Sequence, residues 1–158
     1  EGGQRVPCVV RWPGRIPAGA LCREMTRSID LLPTIAEMTG ARLPDRTIDG
    51  GSIKGLLLGE PGARPASDTF LYYSAAGKLA GIRKGELKLL YAGPSAKGGP
   101  YLYNVAVDIS EEWNLAEKQP ETVEALKALA IRMDEAIAAH ARPTRKVEQT
   151  LWEWPESR

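Results

Sequence analysis

The residues best suited to chemistry are few and dispersed: one histidine, two cysteines, and arginines and aspartates strung along the first third of the chain. A hydrolytic site of the serine or cysteine type needs a nucleophile, a base within hydrogen-bond reach and a third group to orient the base. His140, the one imidazole, falls at the end of an amphipathic pattern, where a cation favourable to a helix dipole or a solvated group accounts for it. Cys8 lies inside Val6-Pro7-Cys8-Val9-Val10 and reads as a small buried hydrophobe, with a Cys8–Cys22 bridge as the alternative. No C-x-x-C, H-x-x-x-H or acidic loop of calcium spacing occurs. Asp30, Asp45 and Asp49 are therefore assigned to caps and turns, and no residue of the chain to a metal. Gly2-Gly3 and Gly50-Gly51 are not followed by the lysine and hydroxyl of a phosphate-cradling loop. Arg5, Arg11 and Arg15 could receive an anionic substrate, although structural ion pairs explain them more cheaply.

The elements that must position these residues change character along the chain. Residues 6–12 are apolar, β-branched and closed by Trp12-Pro13-Gly14, which predicts a strand buried on both faces, as in the parallel sheet of an α/β domain. A helix is expected over 30–39, with Asp30 as N-cap, Pro33 in the first turn and Gly40 just past the end. Its apolar face would be Leu31, Leu32, Ile35, Ala36 and Met38. Asp49-Gly50-Gly51 is a turn leading to a short helical segment at Leu56-Leu57-Leu58-Gly59. The Pro/Gly-rich stretch 59–65 is a surface loop, and a subdomain boundary is placed there: 1–60 as the end of a large α/β domain, 61–158 as an α+β subdomain.

Beyond the boundary the pattern is antiparallel β. Thr69 to Tyr73 is one strand. Leu79–Arg83 and Glu86–Tyr91 flank Lys84-Gly85, read as a hairpin turn with Gly supplying a positive φ. In the second arm Leu87, Leu89 and Tyr91 alternate with Lys88 and Leu90, as in a half-buried sheet. After a loop at 93–100, Tyr101-Leu102-Tyr103 resumes the sheet. The clearest helix runs from Pro120 to His140, with Val123, Leu126, Ala130, Met133 and Ile137 as one stripe laid across the sheet. The tail Thr150 to Pro155 carries Trp152 and Trp154 and is expected to dock.

Composition narrows the function classes. With 158 residues and 43% apolar content the chain is long enough for a real core. Its 21 basic and 20 acidic residues are interspersed and leave a net charge of +1, so neither nucleic acid nor an anionic membrane is called for. The longest apolar runs are too short to span a bilayer.

Five segments then carry a resemblance. Glu1-Gly2-Gly3-Gln4-Arg5-Val6-Pro7 with Trp12-Pro13-Gly14-Arg15-Ile16-Pro17-Ala18-Gly19 resembles the EGG-x-R-x-P…WPG-x-I-x-x-G stretch of formylglycine-dependent sulfatases. Ser28-Ile29-Asp30-Leu31-Leu32-Pro33-Thr34 is similar to that family's S-x-D-L-x-P-T helix. Asp49-Gly50-Gly51-Ser52 with Leu56-Leu57-Leu58-Gly59, and Gly81-Ile82-Arg83-Lys84-Gly85-Glu86-Leu87-Lys88-Leu89, match D-G-x-S…L-L-x-G and the I-R-x-G-x-x-K-L hairpin. Leu102-Tyr103-Asn104 with Asp108 to Ala116 resembles L-Y-D…D-P-x-E-x-x-N-L-A. Asn104 stands where Asp is usual, Ile109 where Pro is usual and Gly55 where Pro often stands; all three concern turns.

The resemblance implies the C-terminal part of an alkaline-phosphatase-like sulfatase fold: α/β, with a small antiparallel sheet packed against a long C-terminal helix. It implies an enzyme that hydrolyses sulfate esters with a formylglycine nucleophile and a divalent cation, usually calcium, both held by polypeptide before Glu1. Neither Cys8-Val9-Val10-Arg11 nor Cys22-Arg23-Glu24-Met25 fits the C/S-x-P/A-x-R motif of the nucleophile. No catalytic residue is therefore expected here, and the chain alone should be inactive. Glu1 and Arg5 would at most hold the segment that carries the family's active-site lysine. The implied partners are a sulfate ester and the N-terminal catalytic domain of the same protein, and the implied compartment is periplasmic or extracellular. Two other readings stay open at this point: the rear of a related phosphodiesterase or phosphonate hydrolase, and a glycan-binding module using the 92–100 loop, Trp152 and Trp154.

Overall fold

The computed structural model describes residues 1–91 and 98–141. Most of the expected 93–100 loop and the whole Thr150–Pro155 tail lie outside the described residues.

The first helix, α1 (Leu31–Thr39), is entered through a single 3-10 turn at Ser28–Asp30 and ends at Gly40, whose φ of 73° is the left-handed geometry glycine adopts without cost. Asp30 sits at the expected N-terminal position, but its side chain does not cap its own helix. It is 1% exposed and accepts from the Arg27 backbone nitrogen at 2.8 Å, Arg27 Nη2 at 2.9 Å and the Gly51 nitrogen at 3.1 Å. Burial alone would raise the Asp30 pKa; the Arg27 guanidinium and the two amides outweigh it and hold the carboxyl below its ordinary range. One turn on, the Thr34 hydroxyl donates to the Asp30 carbonyl at 2.6 Å and accepts from the Ile53 nitrogen at 3.0 Å. Gly50 crosses this joint so closely that a Cβ there would lie 2.0 Å from the Ile29 carbonyl oxygen. The short helix α2 (Lys54–Leu58) follows directly.

The strands β1 (Thr69–Tyr73), β2 (Leu79–Lys84), β3 (Leu87–Leu90) and β4 (Tyr101–Asn104) form an antiparallel meander in that order. The hairpin turn is Gly85-Glu86, one residue later than expected, because Lys84 pairs with Leu87 and Gly85 takes φ 56°. Register places Leu71, Ile82, Leu89 and Leu102 in one cross-strand row. Helix α3 (Pro120–Ala139) lays Val123, Leu126 and Ala130 over that row, and Ile82, Leu89, Leu102 and Ala130 reach zero exposure. The Tyr73 hydroxyl donates to Asp134 Oδ1 at 2.7 Å, tying β1 to α3; burial and this carboxylate push its pKa up to about 12. A four-stranded sheet covered by a C-terminal helix is the architecture expected from the sequence.

Three expectations fail. Residues 6–12 are not a strand, and Val6 and Val9 are 70% and 93% exposed. A strand needs neighbours for its amides, and no described strand lies beside this segment. Cys8 and Cys22 are exposed free thiols rather than a buried hydrophobe or a bridge. Helix α1 buries Pro33, Thr34 and Ala36, whereas Leu31, Leu32 and Ile35 of the expected apolar face are exposed. The contacts that hold α1 come from the polar joint to 50–53, which grips a different side of the helix.

Candidate functional site

The face of the sheet turned away from α3 carries the row Phe70, Arg83, Lys88 and Tyr103. Lys88 nevertheless does not face solvent. It is 4% exposed, and a buried ammonium is tolerated only with partners. Two carboxylates supply them. Lys88 Nζ donates to Glu1 Oε1 at 3.1 Å and to Glu111 Oε1. Arg83 Nη1 reaches the other Glu1 oxygen at 3.1 Å, and the Tyr72 hydroxyl lies 3.5 Å from Glu1 Oε1. The Lys88 ammonium sits 4.8 Å above the centre of the Tyr72 ring. Two positive and two negative side chains thus balance.

Each member is placed by a local device. Lys88 and Arg83 are neighbours across the β2–β3 ladder, and Arg83 Nε is steadied by the Gly85 carbonyl at 2.9 Å. Glu111 takes a positive φ of 59°, an unusual conformation for a residue with a Cβ. The turn around it is over-determined: the buried Asp108 carboxylate accepts from the Glu112 and Trp113 nitrogens, both at 3.0 Å. Asn114 Oδ1 then accepts from the Leu102 nitrogen at 2.9 Å and the Ala116 nitrogen at 3.0 Å, pinning the turn to β4. Glu1 is set by its own tight turn, its carbonyl accepting from the Gln4 and Arg5 nitrogens at 2.9 and 2.8 Å.

The electrostatics follow from mutual neutralisation. Burial alone would lower the Lys88 pKa, but the Glu111 hydrogen bond, Tyr72 and Glu1 reverse this and raise it. Burial would raise the Glu111 pKa, yet the Lys88 hydrogen bond and charge help bring it below its ordinary value. Tyr72 is raised, mainly by burial. The cluster is built to stay charged, and every charge in it is spent on another. It therefore acts as a joint between the segment at residue 1 and the sheet.

Of the residues singled out in the sequence, Glu1 is at this joint. Arg5 is exposed and contributes its backbone nitrogen to the turn rather than its guanidinium to the cluster. Arg5, Arg11 and Arg15 form no shared site; the Arg15 guanidinium lies 5.8 Å from the centre of the Trp12 ring. His140 is exposed, its Nδ1 2.9 Å from the Ala136 carbonyl. No group of three or more His, Cys, Asp or Glu side chains among the described residues could hold a metal ion. Sequence reasoning missed Tyr72, Arg83, Lys88 and Glu111. Its available signal was Lys88 interrupting an otherwise apolar strand, and the presence of Glu1, Arg83, Lys88 and Glu111 each inside one of the quoted motifs.

Comparison with known proteins gives the same picture across the chain. Residues 1–139 match the family described as N-sulphoglucosamine sulphohydrolase, C-terminal. Human arylsulfatase A is 34% identical over 165 residues, covering 88% of this chain and 32% of the relative. Steryl-sulfatase of Mus musculus is 42% identical over 84 residues, covering 52% of this chain and 13% of the relative. The chain thus spans less than a third of the length of these curated relatives. Among solved structures, the PsFucS1 sulfatase of Pseudoalteromonas sp. superposes with a TM-score of 0.66 at 13% identity, covering 84% of this chain and 30% of that one. BT4656, solved with D-glucosamine-2-N,6-O-disulfate as its substrate, gives 0.58 at 22% identity over 82% of this chain and 28% of that one. At these identities the two structures speak for the fold alone. The antiparallel meander, the helix across it and the match over residues 1–139 lead to one statement: this chain belongs to the family of sulfatase C-terminal regions.

Proposed function

We propose that the chain is the rear portion of an enzyme that hydrolyses sulfate esters, and that bond cleavage is carried out by polypeptide outside it. The observation that carries this reading is the 34% identity to arylsulfatase A over 88% of the chain. On this reading the formylglycine precursor and the cation ligands belong to the rest of the enzyme; neither cysteine carries the nucleophile's motif. The calcium of the whole enzyme, when bound, would neutralise charge on the sulfate oxygens. The contribution of this chain is architectural. Its sheet grips Glu1 and so holds the polypeptide entering there, while Arg5 shapes the turn that follows. The exposed apolar residues Val6, Val9, Leu31 and Ile35 give the catalytic domain of the same protein a surface to cover. A periplasmic or extracellular setting fits the resemblance.

The test is an assay of the whole protein on paired substrates, 4-nitrocatechol sulfate and bis(4-nitrophenyl) phosphate. Turnover of the sulfate with little of the phosphate diester is expected. A preference for the phosphate diester would move the enzyme to the phosphodiesterase and phosphonate hydrolase branch and overturn the sulfatase reading.

A further inference from the structure

Covering the second face of the sheet requires no charge at all; a leucine at position 88 would bury there at less cost than an ammonium. The chain instead places a lysine, and brings carboxylates to it from 87 residues away on one side and 23 on the other. Ionic hydrogen bonds differ from apolar contact in being directional, so such a cluster specifies geometry rather than mere proximity. Its grip on Glu1 is unusually complete. Both carboxylate oxygens are held, one by Arg83 and one by Lys88 with the Tyr72 hydroxyl nearby. The Glu1 carbonyl is fixed as well, accepting from the Gln4 and Arg5 nitrogens, so the side chain and the turn that follows it are held together. The Glu1 side chain is 5% exposed, whereas Gly2 to Arg15 are exposed, so among residues 1–15 the cluster anchors position 1 alone.

We propose that Lys88 is a positioning residue for sulfate-ester cleavage: through Glu1, with Glu111 and Arg83 balancing its charge, it sets the placement of the polypeptide immediately before Glu1 and of the active-site groups carried there. This rests on the reading above that the sulfate-cleaving machinery is joined to the chain at Glu1. Small displacements of reacting groups are costly to turnover and less so to binding. Loss of Lys88 should therefore fall on kcat.

The experiment uses the whole enzyme with Lys88→Met, Lys88→Arg, Glu111→Gln and the exposed control Lys84→Gln, assayed for kcat and KM on 4-nitrocatechol sulfate. Lys88→Met is expected to lower kcat about tenfold or more while KM stays within about twofold. Lys88→Arg should restore most of the loss, because it keeps the charge and the donors, and Lys84→Gln should match wild type. Glu111→Gln preserves shape and one hydrogen bond, and carries the test should Lys88→Met fail to fold; it should also reduce kcat selectively. Unchanged kcat in both Lys88→Met and Glu111→Gln overturns the proposal, as does a loss shared equally by Lys88→Arg. A wild-type enzyme that cleaves no sulfate ester refutes the functional reading instead, so the two failures are distinct.

Discussion

Val9 and Val105 are the same residue type, yet Val9 is 93% exposed and Val105 is 1% exposed. The difference separates two regions of the molecule. From Thr69 to Ala139 the chain builds a buried core: one row of the sheet is sealed by α3, and the opposite row is covered by the Glu111 turn together with Glu1 from outside this stretch. From Gly2 to Leu43 much of the apolar surface is uncovered, and what order exists around α1 comes from the Asp30–Arg27–Gly51 joint and Thr34. Hydrophobicity alone states only that a residue gains from leaving water. Which surface receives it depends on polypeptide that can be far away in sequence. The sheet region buries a core that Glu1 completes on its second face, whereas the first region leaves large apolar side chains uncovered.

The sharpest way to break that comparison is to truncate one apolar residue from each region. Leu89→Ala, in the sealed row, should cost about 2–5 kcal/mol in denaturant unfolding of the chain, while Val9→Ala should stay within about 0.5 kcal/mol. Similar losses at both positions would erase the distinction. Next in size is the joint of the first region: Asp30→Ala leaves Arg27 and the Gly51 amide without their buried acceptor and should cost about 3 kcal/mol. Proteolysis near Gly50-Gly51 should increase with it. An unchanged cleavage pattern would mean that the joint is not what holds α1.

Smaller and distributed is the response to pH. Glu111 and Asp30 titrate below their ordinary 4.5 and 3.8, so their stabilisation is complete above those values and is lost as pH falls through the lower folded-state values. Lys88 titrates above its ordinary 10.5, so its contribution is complete below that value and is lost as pH rises through the higher one. Tm measured against pH should therefore be flat between about 6 and 9 and fall at both ends. Glu111→Gln should shrink the acid limb; an acid limb identical to wild type would contradict the assignment. Smallest of all, Lys84→Ala at the exposed Asp68 pair should change stability by less than about 1 kcal/mol, and less again in high salt.

What was legible in the sequence had a local cause. The apolar stripe of α3, the β-branched and aromatic run of β1, the glycine that closes α1 and the hairpin signal at Gly85 are each written within a few residues of where they act. The family resemblance was legible for the same reason, motif by motif. What could not be read was convergence. Nothing near Lys88 announces that Glu1 and Glu111 will meet it, so alternation in β3 gave no more than a half-buried sheet. Asp30 was legible as the residue that starts a helix but not as the acceptor for Gly51, twenty-one residues on. Residues 6–12 were legible as largely apolar but were misread as a buried strand; whether they pair depends on neighbours that the described residues do not supply.

The claim on which everything else turns is that this region supports sulfate-ester cleavage without performing it. Purified residues 1–158, folded by circular dichroism, should be incubated with 4-nitrocatechol sulfate beside the whole protein. No release above the buffer rate by the chain, with turnover by the whole protein, is the predicted result. Sustained hydrolysis by the chain alone would contradict the account.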